Sequence, residues 1–250
     1  NSEHQKNVMN DNWRYFRVSS LFAKEGHPSR KFGTGSLETI GDITREELVS
    51  FYEQHYSSNR MGLALLSSHS LDDLEVWAKK YFTTIKNRKL KRNYHDPVLY
   101  DKKETFRLVK IDPVKDIRDL QITYPILGTR EMYENKPGRQ LGFIIGHEGE
   151  GSLLSYLKNK GWALSLSAGA GSDTKEYGMA TIKIGLTPKG LEEYKEVLKT
   201  TLNYIELMKT SGYQTHVYNE LKSMAELEYV YGSKGEGMWR ATQIANEAMM

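Results

Sequence analysis

The first residues of the chain include side chains that could together bind a metal ion or act as a base. Glu3 and Asn7 are four residues apart, so in a helix they lie on the same side, one turn from each other. That side continues through Asn10 and Arg14. A carboxylate held by an amide one turn later is a common way to fix a metal ligand or a base. We expect one helix over residues 2 to about 22, within a functional unit whose earlier part lies outside the sequence.

Cysteine and histidine usage limits what this sequence can do with a metal by itself. Cysteine is absent, so disulfides, thiol nucleophiles and thiolate metal sites are excluded. Seven histidines are present, but no two have the i, i+3 or i, i+4 spacing that brings imidazoles together on a helix. We therefore expect no closed zinc site from this chain alone.

Composition and charge favour an ordinary globular protein over a nucleic-acid or membrane binder. The 250 residues are 38% hydrophobic and 27% charged, with a net charge of +3. The densest basic run, residues 86–92, is short and contains no aromatic residue, so we interpret it as a solvated linker. No stretch approaches the roughly 20 apolar residues of a membrane span. The absence of cysteine and of a signal or membrane segment favours a cytoplasmic location.

The residue pattern predicts helices interspersed with short strands. Thr44 followed by Glu47 is a capping box and predicts a helix to about Tyr56. Ser70 predicts the start of another helix, which ends near Phe82. Strands are predicted at 61–66, 104–111, 119–124, 162–170 and 177–186, and later helices at 137–146, within 149–160, at 191–209 and at 215–230.

One supersecondary unit occurs twice in this pattern. Residues 60–85 and 179–205 each run from a strand through a turn into a helix. The repetition favours two related α+β domains, although strand–turn–helix units are common enough to occur twice by chance. The sequence alone favours neither the related domains nor the chance repetition.

Several motifs resemble the pitrilysin/insulysin family of zinc peptidases. The segment from Ser2 to Arg14 resembles the family's helix that carries the third zinc ligand. The other matching segments are 27–35, 37–39 and 56–61 from the first domain of that family and 111–118, 146–155 and 157–162 from its second. The resemblance implies an α+β fold with two related domains, each an antiparallel sheet with helices packed on one face. It places an incomplete first domain at 1–90, a linker at 91–97 and a second domain, truncated at its C-terminus, at 98–250.

The resemblance also implies a zinc site. In that family two histidines of a His-x-x-Glu-His helix and a distant glutamate bind zinc, and the glutamate of the motif acts as general base. By resemblance Glu3 is the distant zinc ligand, and Asn7 holds its carboxylate through a hydrogen bond. The motif itself does not occur in this sequence. We therefore expect Glu3 to bind Zn²⁺ in the parent enzyme, and we expect this chain alone to bind none.

A second implied site lies in the non-catalytic domain. The family's second domain has an edge strand that receives the N-terminal segment of a peptide substrate by backbone pairing. By resemblance Leu166, Ser167, Ala168 and Gly169 belong to that strand, where small residues let another backbone approach. His147 and Glu148 are expected close to it. The alternative is an ordinary glycine-bearing edge strand beside a loop.

The function that the resemblance implies is that of a fragment of a zinc metalloendopeptidase, which degrades peptides inside a closed chamber. Its expected partners are peptide substrates and the remaining parts of the parent protease, and the fragment alone is expected to be inactive. The alternative is a non-catalytic subunit or inactive paralogue of the same fold, which binds peptides or a partner. The presence of Glu3 and Asn7 argues against this alternative, because an inactive homologue would be free to lose both.

Overall fold

A computed structural model describes residues 2–91, 98–171, 174–233 and 235–249. The helices are α1 (Ser2–Val8), α2 (Asp11–Leu21), α3 (Leu37–Ile40), α4 (Arg45–His55), α5 (Leu71–Phe82), α6 (Pro137–Ile145), α7 (Leu153–Asn159), α8 (Pro188–Glu192), α9 (Tyr194–Thr210), α10 (Thr215–Tyr231) and α11 (Gly237–Glu247). The strands are β1 (Asp119–Leu127), β2 (Ala163–Gly171) and β3 (Tyr177–Leu186). None of the helices in these ranges is long and apolar enough to cross a membrane.

Two compact units make up the chain. The first contains residues 1–35 and 95–224, and the second contains residues 36–94 and 225–250. Apart from Lys91, the linker predicted at 91–97 lies outside the described residues. The domain limits drawn from the sequence stay a prediction.

The first unit contains an antiparallel sheet with β3 in the middle and the order β1-β3-β2. β1 pairs with β3 from Asp119 opposite Gly185 to Leu127 opposite Tyr177. β2 pairs with the other edge of β3, with an irregularity between Ala163 and Ser165. The strand pair predicted at 162–170 and 177–186 is therefore confirmed, as is the strand predicted at 119–124.

Helices α7 and α9 pack with the sheet around one apolar core. Leu157 of α7, Ile184 of β3 and Val197 of α9 have no exposed surface and belong to one cluster of buried side chains. Full burial of such a side chain contributes about 1.5–3 kcal/mol to stability. The predicted α+β class, with an antiparallel sheet and helices packed on it, is confirmed.

The opening helix differs from the prediction, because it breaks into α1 and α2 at Met9 and Asn10. Asn10 has extended backbone angles, and its Oδ1 accepts hydrogen bonds from Asn12 N at 3.0 Å and Trp13 N at 3.4 Å. An asparagine that satisfies free N–H groups in this way starts a new helix. The polar side predicted to run from Glu3 to Arg14 is therefore not continuous.

Helix α2 is attached to the segment 111–118, one of the stretches that carried the family resemblance. The Asp11 carboxylate accepts the backbone N–H of Val114 at 2.7 Å and that of Lys115 at 3.1 Å. The hydrogen bond from Val114 is the main reason why the pKa of Asp11 lies below its ordinary value of 3.8. Further along α2, Tyr15 OH accepts a hydrogen bond from Gln121 of β1 at 2.7 Å.

Two predicted strands are absent from the described part of the chain. Residues 61–66 are not paired with a strand, because their neighbour in the second unit is α11. A Cβ on Gly62 would lie 2.5 Å from the carbonyl oxygen of Ala245, and one on Gly237 would lie 2.6 Å from Leu66 Cδ2. Residues 104–111 include Phe106 with a left-handed φ of 58°, which interrupts an extended backbone. The first copy of the apparent repeat therefore lacks its strand.

The described part of the basic run predicted to be a solvated linker, residues 86–91, is exposed or partly exposed, but some of it is held by hydrogen bonds. The backbone N–H of Arg88 donates to Ser57 Oγ at 2.8 Å, and the Arg88 guanidinium donates to the carbonyl oxygen of Tyr56 at 2.8 Å. Ser57 is completely buried. Residues 86–88 are therefore a structured part of the second unit rather than a free linker.

Large apolar side chains of the second unit are mostly exposed. Leu71 is 83% exposed, and Leu37 and Trp239 are each 66% exposed. Among its described residues, only Ser36 and Ser57 are buried, so this unit lacks a buried apolar core of its own. An apolar surface of this extent is typical of a region that packs against further protein.

Candidate functional site

The predicted zinc ligand Glu3 is exposed in the first turn of α1, whereas Asn7, one turn later, is only 6% exposed. The Nδ2 and Oδ1 atoms of Asn7 are buried and have no hydrogen-bond partner in the described part of the chain. The structure therefore does not contain the predicted hydrogen bond between Asn7 and Glu3. A buried amide without hydrogen-bond partners lowers the stability of the fold by about 1–3 kcal/mol, because it has lost its solvation. An additional group that forms hydrogen bonds with Asn7 would therefore stabilise the fold.

The residues around Glu3 do not fit a zinc ion by themselves. A zinc site in a protein takes three or four side-chain ligands. Within the described ranges no three His, Cys, Asp or Glu side chains converge in this way. His4, next to Glu3, places its ring edge against Phe32 at a centroid distance of 5.2 Å. Glu3 could therefore contribute one ligand, and the others would have to come from elsewhere.

The second predicted site begins with the packing of α6 against β2. Gly138, Gly142 and Gly146 recur every four residues and face this strand. A Cβ on Gly138 would lie 2.3 Å from the carbonyl oxygen of Ala170, and one on Gly142 would lie 2.9 Å from that of Ala168. Both distances are shorter than a Cβ tolerates. The small residues of β2 thus admit a neighbouring backbone, and part of that space is taken by α6 itself.

Between the C-terminal end of α6 and β2 lies a cavity of about 470 Å³, which we call the edge cavity. Leu166, Ser167 and Ala168 form its β2 side. Successive strand residues point to opposite faces, so a cavity that touches all three borders the edge of the strand. β2 is the outer strand of the order β1-β3-β2. In the described part of the chain, this edge is therefore not paired with another strand.

The other side of the edge cavity comes from the end of α6 and the loop after it. Its lining residues there are Gly142, Phe143, Gly146, His147, Glu148 and Gly149. The rings of Phe143 and His147 are stacked, with centroids 6.2 Å apart and planes inclined by 28°. A Cβ on Gly149 would lie 2.8 Å from His147 Nε2, so a glycine at 149 lets the imidazole fold over the loop.

The structure thus brings five of the six predicted anchoring residues to one cavity. His147 and Glu148 lie opposite Leu166, Ser167 and Ala168. Gly169 lies outside this lining, and its Cα would be 3.1 Å from a Cβ on Gly142. The role of these residues in substrate anchoring stays a prediction.

Four residues that line the edge cavity were not predicted from the sequence: Gly142, Phe143, Gly146 and Gly149. The four-residue spacing of Gly138, Gly142 and Gly146 could have indicated a close helix–strand contact, because it places three glycines on one side of a helix. Phe143 gave no such signal, since its contribution depends on where β2 lies relative to α6.

The edge cavity combines an apolar interior with a polar rim. Leu166 is buried and Phe143 is half-buried, whereas His147 and Glu148 are exposed to solvent. An unpaired strand edge offers backbone N–H and C=O groups to an extended chain. The Glu148 carboxylate offers an acceptor to a cationic group. This arrangement suits an extended peptide better than a compact polar ligand.

Comparison with known sequences gives consistent matches. A family model described as the peptidase M16 inactive domain matches residues 42–224. The chain is 36% identical to insulin-degrading enzyme-like 1, peroxisomal, of Arabidopsis thaliana, 34% to the A-factor-processing enzyme of Saccharomyces cerevisiae and 35% to the insulin-degrading enzyme of Homo sapiens. These alignments cover 98%, 94% and 98% of this chain but 26%, 24% and 25% of the relatives. The chain therefore spans about a quarter of their length.

Solved structures show the same fold. The structure of pitrilysin superposes with a TM-score of 0.86 at 22% identity, covering 100% of this chain and 27% of pitrilysin. A peptidase M16 inactive domain from Pseudomonas fluorescens superposes with a TM-score of 0.63 at 16% identity, covering 99% of this chain and 57% of that one. At these identities the likeness concerns the fold alone.

Proposed function

The chain belongs to the M16 peptidase family, and we propose that it is part of a zinc metalloendopeptidase that hydrolyses peptides inside a closed chamber. In this proposal the chain has two tasks. It supplies Glu3 as one zinc ligand, and it anchors peptide substrates at the edge of β2. The chain alone is expected to be inactive.

The observation that carries the anchoring proposal is the edge cavity. It brings the outer edge of β2, which pairs with no strand among the described residues, together with His147 and Glu148 of the loop after α6. A peptide added to a strand edge gains affinity from main-chain hydrogen bonds, with side-chain pockets providing selectivity. The edge cavity offers both features at one place.

The metal part of the proposal is supported by the position of Glu3, which is exposed in the first turn of α1 and therefore accessible to a metal ion. When bound in such an enzyme, zinc polarises the scissile carbonyl and lowers the pKa of a water molecule. The other ligands and the general base would come from parts of the parent protein outside this chain. Stoichiometric zinc in the purified 250-residue chain would contradict this assignment.

The large exposed apolar surface of the second unit supports the remaining parts of the parent protease as partners. Side chains such as Leu71 and Trp239 would be buried in such an assembly. Co-expression with the remaining parts of the proposed parent protease should raise the yield and thermal stability of the chain. No change in either would count against this partner.

A second candidate function is a non-catalytic subunit or inactive paralogue of the same fold. The match to an inactive-domain model does not separate it from the peptidase, because the insulin-degrading enzyme of Homo sapiens aligns over the same residues. The two candidates differ in the gene. A His-x-x-Glu-His motif encoded upstream of Asn1 supports the peptidase, whereas its absence supports the non-catalytic subunit.

Peptide anchoring can be tested without changing the protein. Fluorescence anisotropy would compare a short labelled peptide with analogues that carry one backbone N-methyl group each. N-methylation removes a main-chain donor, so analogues methylated at alternate residues should bind about tenfold more weakly. Analogues methylated at the residues between them should bind like the parent peptide. Equal affinity of all analogues would exclude pairing with a strand edge.

A further inference from the structure

We propose that the edge cavity is a subsite for one apolar side chain of the bound peptide, and that Phe143 determines this specificity. The proposal rests on the proposed function, because it assigns a side-chain preference to the same anchoring site. It concerns a residue that the sequence did not single out.

The composition of the edge cavity gives its chemistry. Phe143 from α6 is half-buried and supplies apolar surface to the edge cavity, which Leu166 of β2 borders with a side chain that is only 6% exposed. Gly142 and Gly146 have no side chains, so they leave the space between α6 and β2 open. The volume of about 470 Å³ falls within the range of about 300–1,000 Å³ that ligand cavities occupy. Apolar surface of this kind gains free energy when an apolar group displaces water from it.

The geometry also limits which side chain can enter. An extended peptide on the edge of β2 directs successive side chains to opposite faces. Only one of two neighbouring side chains can therefore reach Phe143. The His147 ring is stacked on Phe143 at this side of the cavity, and the exposed Glu148 also lines it, so that its carboxylate can bind the amino end of the peptide. This charge complementarity favours a peptide with a free amino terminus as the occupant.

The experiment is a leucine scan with matched peptides. Short serine- and glycine-rich peptides would carry a single leucine at the first, second or third position, and an all-polar peptide would serve as reference. Binding to the full polypeptide that the gene encodes would be measured by fluorescence anisotropy in the presence of EDTA, which prevents cleavage. Leucine at one position should tighten binding about tenfold over the reference, whereas leucine at an adjacent position should change it less than about twofold.

Variants of Phe143 identify the residue responsible. Phe143→Ser should bring the leucine-to-reference affinity ratio to within about twofold of one, and its circular dichroism spectrum and melting temperature report whether the variant is folded. Phe143→Leu should retain most of the preference, because it keeps an apolar side chain. A preference that survives Phe143→Ser would overturn the assignment of Phe143.

Other outcomes separate this proposal from the one on which it rests. If the native protein binds no peptide of the series, the proposed anchoring function fails. If it binds all of them equally, anchoring stands and the apolar subsite is wrong, whatever the variants do. Concentration-dependent dimerisation that Phe143→Ser abolishes, without peptide binding, would assign the edge cavity to a second copy of the chain and overturn the proposal.

Discussion

Gly138 of α6 lies directly against Ala170 of β2, so that a Cβ at position 138 would be 2.3 Å from the Ala170 carbonyl oxygen. This contact fixes the N-terminal part of α6 on the strand. The edge cavity lies toward the other end of the helix, beside Gly142 and Gly146. The approach of the two backbones therefore sets the width of the candidate site.

The first prediction concerns this contact. Gly138→Ala should lower the free energy of unfolding by about 1–3 kcal/mol, because the added methyl group pushes α6 away from a backbone that cannot yield easily. Helix propensity alone would favour alanine by up to about 1 kcal/mol, so the sign of the change is diagnostic. Urea denaturation followed by circular dichroism measures it.

Gly169→Ala is the matched control, because nothing lies within 4 Å of a Cβ at that position. Its effect should stay within about 0.5 kcal/mol. A Gly138→Ala variant more stable than the native protein would show that α6 is not held this closely.

The second prediction concerns the loop after α6. Gly149→Ala should leave stability within about 0.5 kcal/mol of the native value, because the new methyl group meets only the end of the flexible His147 side chain. It should displace the imidazole from Phe143 and change the ring resonances of His147 in carbon–proton NMR spectra. Gly33→Ala, which meets nothing within 4 Å, should leave them unchanged. Unaltered His147 signals in the Gly149→Ala variant would contradict the folded-back ring.

The third prediction concerns acid stability. The backbone N–H of Val114, and after it that of Lys115, holds the pKa of Asp11 below 3.8. A lowered pKa in the folded state means that the ionised carboxylate stabilises the fold at neutral pH. This stabilisation should be complete well above pH 3.8 and should disappear as the pH falls below that value through the folded-state pKa.

The test is to compare the native protein with Asp11→Asn, which keeps one acceptor but does not titrate. The stability difference between the two should be present at pH 7 and should shrink toward zero in strong acid. A difference that does not depend on pH would show that the charge of Asp11 has no part in holding residues 114–115.

The fourth prediction concerns the second unit. Ser57→Ala should lower the free energy of unfolding by about 1–3 kcal/mol, because it leaves the backbone N–H of Arg88 without the Ser57 hydroxyl. Ser50→Ala is the control, since Ser50 is exposed on α4 and its loss should matter by less than about 0.5 kcal/mol. Thermal denaturation of both variants measures the difference. Equal melting temperatures would show that residue 88 is not held by Ser57.

Local signals predicted much of the secondary structure correctly. The Thr44–Glu47 capping box is present, with Thr44 N donating to Glu47 Oε2 at 2.8 Å, and α4 begins at Arg45. Ser70 Oγ accepts the backbone N–H of Asp73 at the start of α5. These signals depend on residues three apart in the chain, so the sequence contains all of their interacting groups.

The wrong predictions share a different cause. The apolar run 61–66 has the composition of a strand, but a strand needs a partner, and its neighbour is α11. The single opening helix was equally reasonable by periodicity, yet Asn10 uses its side chain to start α2 anew. In both places an interaction that the residue pattern does not show, the contact with α11 or the Asn10 cap, selected one of two conformations that the pattern fits about equally well.

For the candidate site, the family, the residue types and the strand pair that contains Leu166 could be predicted from the sequence. Those features follow from short-range patterns and from motifs that stay in order along the chain. The proximity of His147 to the strand of Leu166 was expected from the family resemblance, whereas the contribution of Phe143 to the same cavity and the missing hydrogen bond between Asn7 and Glu3 became apparent from the three-dimensional arrangement. The contribution of Phe143 depends on how closely α6 approaches β2. Gly138 and Gly142 permit this close approach, but no local sequence pattern specifies which strand the helix packs against.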